Sequence, residues 1–259
     1  MKVQLAPQGS RPAIAATVRT LLASALILLG ACAPASHDAT DAAPSGPDEV
    51  ITQEGEEAVP LTAEEEAELA EFTNPDELDE KSDPLADIQG LDPKGVVPKA
   101  LLKKAVAYFE ANKSRLKNQN YLTVVDFSKP SSQRRLFIVN MKSGSVLALH
   151  VAHGEGSDRD DDAYAERFSN VEGSNASSLG FYKTAETYQG KNGYSLRLDG
   201  LSSSNSNARM RAVVVHGSDY VKDKDKKQGR SWGCPAVSHE YRDKVINMIK
   251  NGSLIYASN

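Results

Sequence analysis

A mostly β domain with a few flanking helices, carried behind a disordered acidic N-terminal linker, is the fold class this sequence predicts. Three observations point to it. Charge is split: from Ala33 to Asp92 there are 19 Asp/Glu against one Lys/Arg, and from Pro93 to Asn259 there are 26 Lys/Arg against 16 Asp/Glu. Aromatic residues follow the same divide, with none before Phe72 and nearly all Tyr and Phe between Tyr108 and Tyr256. Short runs rich in β-branched and aromatic residues, punctuated by turn signals, fill the second segment. The overall charge of −5 therefore averages two segments of opposite character. The acidic one lacks the apolar content needed to offset ordering entropy. Roughly 160 residues remain to build one domain.

At the N-terminus, Lys2, Arg11 and Arg19 precede an apolar run from Leu21 to Leu29. A bilayer span needs about 20 apolar residues, so this shorter run suits the core of an export signal instead. It ends in Leu29-Gly30-Ala31-Cys32, which resembles a bacterial lipobox, where cleavage precedes the cysteine and a diacylglycerol joins its thiol. The expectation is a signal peptide over 1–31, lipidation at Cys32, a linker over 32–95 and the folded domain over 96–259. An ordinary signal peptide with Cys32 incidental is the plainer alternative. Ala33 stands where an Asp would favour inner-membrane retention, so a periplasmic address on the outer membrane is expected. Cys234 is the one other cysteine. With Cys32 lipidated it is a lone thiol in an oxidising compartment, a liability unless its reactivity is wanted.

Within the linker, Thr62-Ala63-Glu64-Glu65 has the form of a capping box opening a short acidic helix to about Phe72. Alone in water so short a helix is marginal, and a solvated spacer is the expectation. A coil of about 60 residues reaches about 40 Å, enough to hold a domain off a membrane. Leu101, Leu102, Ala105, Val106 and Phe109 then mark one face of a helix over 99–112. Strands are expected over 121–127, 136–140 and 146–152, the last two joined by a hairpin turn at Lys142-Ser143-Gly144-Ser145. Residues 154–178 are polar and read as a long surface loop. Further strands are expected over 194–199, 212–216 and 253–257. Ser238 is placed to cap a helix reaching about Lys250, with Tyr241, Val245, Met248 and Ile249 inward.

The chemistry concentrates in Val213-Val214-Val215-His216-Gly217-Ser218 and Gly229-Arg230-Ser231-Trp232-Gly233-Cys234-Pro235-Ala236-Val237. A strand delivers His216 to its end, and after fourteen intervening residues Ser231 opens the bend that presents Cys234. A cysteine nucleophile needs an imidazole nearby to hold it as thiolate. It also needs donors for the developing oxyanion, and Gly233 lets backbone N–H groups approach a substrate carbonyl closely. A small buried Cys beside a satisfied His is the competing structural reading.

These residues resemble the motif of the L,D-transpeptidases (YkuD-type) of bacterial peptidoglycan: His, fourteen to seventeen residues, then Ser/Thr-His-Gly-Cys. Trp232 stands in place of the second His, as in the murein L,D-transpeptidase catalytic domain branch. The likeness runs over about Thr123–Tyr256 and takes in Val124–Pro130, Val151-Ala152-His153-Gly154, Phe168–Asn170, Ser177–Tyr182 and Tyr188–Lys191. It implies a mixed-sheet or sandwich β fold and an acyl-enzyme mechanism. Cys234 would attack the carbonyl joining the third residue to the D-alanine of a tetrapeptide stem. His216 would act as base and then acid, oriented by the carbonyl of Gly217, and the Gly233 and Cys234 N–H groups would form the oxyanion hole. A second stem's amine would resolve the thioester into a 3→3 cross-link.

Several residues carry weaker expectations. His153 and Tyr182 are placed at the cleft, with Ser177 and Ser178 beside them. Ser231, Trp232 and Arg230 are expected at the substrate, although Trp232 could equally plug the core. Arg209, Arg211 and Arg230, within a basic domain, would steer stem carboxylates. His150, His153 and His216 have no acidic or thiol partner at a recognisable ligand spacing, so neither metal nor cofactor is expected. Scattered positive charge on an exported chain excludes nucleic acid as a partner. An L,D-carboxypeptidase, with water as acceptor, would use the same residues. A non-catalytic wall-binding lipoprotein is the rival from another class. A papain-like protease would require Cys ahead of His in the chain.

Overall fold

The computed structural model describes residues 58–78 and 88–259. Cys32 and the expected signal peptide lie outside them. Eight strands form one mixed sheet: β1 (Tyr121–Asp126), β2 (Leu136–Asn140), β3 (Val146–Leu149), β4 (Gly180–Gly190), β5 (Gly193–Gly200), β6 (Val214–Ser218), β7 (Ala236–Ser238) and β8 (Leu254–Ser258). Their spatial order is β3-β2-β1-β8-β4-β5-β6-β7. The β1–β8 and β6–β7 pairs are parallel and the others antiparallel. Among the described residues three α-helices accompany the sheet: α1 (Ala63–Ala70), α2 (Lys99–Asn112) and α3 (His239–Ile249). No described helix is long and apolar enough to cross a membrane.

The two larger apolar clusters form because side chains alternate across a strand. Leu122 and Val124 of β1, Leu254 and Tyr256 of β8 and Phe181 of β4 belong to one, packed with α2. Helix α2 supplies Leu102, Ala105, Val106 and Phe109, all buried, at the spacing of a single helical stripe. Phe181 stacks between Tyr108 and Tyr256 with centroids 4.0 and 4.4 Å away. Burying a ring of that size stabilises by about 2–3 kcal/mol. Neighbouring positions Val125, Tyr182, Ile255 and Ala257 turn to the second cluster, where Val245, Ile246 and Ile249 of α3 cover them. Ser238 occupies the N-cap of α3 without making a side-chain cap bond. Its Oγ is buried with no partner.

The expected spacer does not hold for residues 58–78. Thr62 and Glu65 complete a capping box that opens α1. The helix buries none of its own residues and is held from outside. Glu68 pairs with Lys183 at 3.0 Å and Lys117 at 3.3 Å. Glu65 reaches Arg209 at 3.5 Å. Phe72 seats in the α2 cluster, and Thr73 donates to Asn112 while accepting from the Tyr108 hydroxyl. The packed region also begins before residue 96, since Asp92 caps the N–H groups of Val96 and Val97. Tertiary ion pairs and one seated ring thus overrule the marginal stability of a short helix.

Candidate active site

Every residue of β6 is buried, and His216 stands in its middle. The imidazole Nδ1 lies 3.0 Å from the Gly217 carbonyl oxygen. A carbonyl only accepts, so Nδ1 carries the hydrogen and Nε2 is the basic nitrogen. Strand β7 runs parallel to β6 with Ala236 opposite His216. Cys234 stands two residues before Ala236, just ahead of the strand that pairs with the one carrying His216, at one edge of the sheet. The thiol is half-buried and in no disulfide among the described residues, with Sγ 3.6 Å from the Ala212 carbonyl.

Ser231 shapes the bend that presents the thiol. Its Oγ donates to the Cys234 carbonyl at 2.6 Å and accepts the Gly233 N–H at 3.1 Å. Gly233 has φ +117°, where side chains are disfavoured. A Cβ there would lie 2.8 Å from the Ala176 carbonyl oxygen and 3.2 Å from an Arg211 guanidinium nitrogen. Gly233 was expected to lend its N–H to an oxyanion. That hydrogen is given to Ser231, so its part is conformation and close approach.

Of residues 154–178, expected as a surface loop, the middle is largely exposed, while the two ends pack under this bend. Ser231 donates to the His153 carbonyl and accepts from Glu155 N–H, at 2.9 and 2.8 Å. Ser177 Oγ accepts the Gly154 N–H and donates to the Gly233 carbonyl. A Cβ on Gly154 would sit 2.2 Å from Asn175 O and 2.8 Å from Gly233. Glycine is required there by backbone contact.

The other expected site residues divide. Trp232, 40% exposed, stands next to Gly233 at the open face, so it does not plug the core. His153 does not line the cleft. It is 1% exposed, with Arg135 at 2.7 Å on Nδ1 and Asp158 at 3.1 Å on Nε2. Burial, then the Arg135 cation, lowers its pKa to about 4, so the ring is neutral. Tyr182 is buried, its hydroxyl bonded to Ser178 and its pKa raised to about 12 by desolvation. Ser231 is buried and occupied by the bend. Arg230 is committed to Asp161 and the Asp158 carbonyl. Arg209 pairs with Asp199, Glu186 and Glu65, and Arg211 is spent on loop carbonyls, so neither of these arginines is poised to steer a carboxylate. Among the described residues, carboxylate oxygens of Asp158, Asp160 and Asp162 lie within 4.8 Å of one another. Those of Asp158 already accept from His153, Asp162 N–H and Ala163 N–H.

Sequence reading gave Arg135 no role. It lies between the expected strands with no spacing or motif to mark it, yet it is fully buried and donates to the Val151 and Lys129 carbonyls as well as to His153.

The L,D-transpeptidase catalytic domain family model matches residues 94–258. Among solved structures, an L,D-transpeptidase from Mycobacterium smegmatis is 13% identical, with 54% of this chain and 59% of that one covered and a TM-score of 0.36. L,D-transpeptidase 1 of Mycobacterium tuberculosis is 13% identical, covering 54% of this chain and 62% of that one, at a TM-score of 0.31. The chain thus spans about three-fifths of the length of these structures. No curated protein matches. With 94–258 matched, this chain belongs to the L,D-transpeptidase catalytic domain family.

Proposed function

We propose that the chain is a peptidoglycan L,D-transpeptidase that works through a cysteine thioester. The observation that carries the reading is the imidazole of His216, fixed through Nδ1 by Gly217 beside the strand that leaves Cys234. The Nε2 lone pair takes the thiol proton. The thiolate adds to the carbonyl between the third stem residue and D-alanine. As the tetrahedral intermediate collapses, the C–N bond breaks and His216 returns the proton to the departing amine. An amine of a second stem then attacks the thioester, gives its proton to His216 and restores the thiol, leaving a 3→3 cross-link. Trp232 offers its exposed face to the substrate and, lacking a basic nitrogen, takes no part in proton transfer.

Incubating the protein with purified disaccharide-tetrapeptides and weighing the products tests this. A dimer lacking one D-alanine is the expected product. Tripeptide monomer alone would assign the acceptor as water, the carboxypeptidase outcome. Unchanged substrate would overturn the reading in favour of a wall-binding role.

The same proposal includes export and lipidation at Cys32, on the motif Leu29-Gly30-Ala31-Cys32, with the domain facing peptidoglycan from the outer membrane. The mature protein should partition into detergent and begin at a modified cysteine. Cys32→Ser should release it or stall its processing. Unmodified wild type in the soluble periplasm would sink the anchor.

A further inference from the structure

Arg211 precedes β6 in the chain, five residues before His216, and no motif marks it. Its half-buried guanidinium reaches into the loop beneath the cysteine bend. Nη1 donates to the Ser169 carbonyl at 2.7 Å and to Ser178 Oγ at 3.2 Å. Nη2 donates to the Ala176 carbonyl at 2.5 Å and lies 3.4 Å from Ser174 Oγ. The same Nη2 and the same Ala176 carbonyl are the atoms that a side chain on Gly233 would strike, at 3.2 and 2.8 Å. The next residue, Ala212, holds φ +50° and turns its carbonyl to the Cys234 sulfur. One short segment thus braces the bend from below and sets a permanent cation against it.

We infer that Arg211 is a positioning residue for the reaction proposed above: its guanidinium fork fixes loop 169–178 under Gly233, and its charge holds Cys234 towards the thiolate. This inference rests on Cys234 being the nucleophile. Tyr182 from β4 and Arg211 itself interact electrostatically with the thiol, and the proposed reaction adds His216 from the strand paired with β7. The Tyr182 phenol stays protonated, since burial raises its pKa to about 12, which leaves His216 and Arg211 as the possible cations. Burial lowers the pKa of Arg211, while Tyr182 and Cys234 draw it back up. Such coupling is mutual, so the guanidinium favours the thiolate as the thiolate favours it. Arginine suits both parts, because a rigid planar fork can serve several carbonyls while remaining charged at every working pH.

The test is the pH dependence of Cys234 alkylation by iodoacetamide, a neutral probe, in the full chain as wild type, Arg211→Met and Arg211→Lys. Tryptic mass spectrometry assigns the label to Cys234. Arg211→Met should move the profile upward by about one pH unit. Arg211→Lys keeps the charge without the fork, and should restore most of that shift while acylating more slowly with a carbapenem. An Arg211→Met profile identical to wild type would overturn the inference. So would a shift that lysine fails to rescue, since bracing alone would then account for it. Should Arg211→Met not fold, Arg211→Lys against wild type decides: a profile displaced as far as that of His216→Ala refutes the charge effect. Alkylation needs no turnover, so muropeptide inactivity of wild type would refute the proposed reaction while leaving these profiles to judge Arg211 separately.

Discussion

Replacing Cys234 by alanine should abolish muropeptide turnover while changing stability by no more than about 1 kcal/mol. The side chain is half-buried and small, and losing one such group costs about that of a single methylene. A carbapenem, which mimics the acyl donor, should add its mass to wild type and not to Cys234→Ala. The partner effect comes from His216. A free thiol titrates near 8.5, whereas one beside an imidazolium titrates well below that. Wild-type Cys234 should therefore alkylate readily at about pH 6, and His216→Ala should move its profile up towards that of an ordinary thiol. Turnover should fall about 10²–10⁴-fold with the base removed. Labelling at another residue, residual turnover by Cys234→Ala, or a wild-type profile like that of free cysteine would each remove Cys234 from its assigned role.

The largest stability effect should come from Arg135→Met. The guanidinium is fully buried, and its removal strands the Val151 and Lys129 carbonyls and the Nδ1 of His153. Leaving several interior acceptors without donors should cost about 3–5 kcal/mol. Urea unfolding at pH 7 measures it, and a loss below about 1 kcal/mol would show that the network contributes little. His153 adds a pH dependence of defined sign. Its pKa is about 4 in the fold and near 6.5 unfolded. Between these values the unfolded chain binds a proton that the native state refuses. Stability is therefore fully present above about pH 6.5 and falls as pH drops towards 4, by about 3 kcal/mol in all. The part due to His153 is the difference in slope between wild type and His153→Gln. Equal slopes would mean that the buried ring is not held neutral.

Periodic segments were legible without coordinates. Helix α2 and strand β2 fall where the apolar pattern puts them, because α2 buries one stripe of its own residues and β2 is a short apolar run buried on both faces. Strand β4 was missed over its length. Its outer half carries Thr184, Glu186, Thr187 and Gln189, and the register shifts between Thr184 and Thr187, which breaks the two-residue alternation. Lys183 is buried within it because Glu68 of α1 meets it there, a partner more than a hundred residues away. Helix α1 showed its capping box in sequence, yet what holds it lies on other elements.

At the site, the sequence by itself singled out the residues proposed to carry the chemistry: His216 followed by Gly217, and Cys234 in a glycine bend. Local rules sufficed for that, since a turn, a strand and a thiol are properties of neighbouring residues. Only the tertiary structure decided what surrounds them. It turned His153 inward to Arg135, used up the Gly233 amide on Ser231, tied Arg230 to the Asp158–Asp161 loop and brought Arg211 beneath the bend. The physical reason is that a polar side chain's role is set by which partner satisfies it once water is excluded. In this chain those partners come from segments distant in sequence.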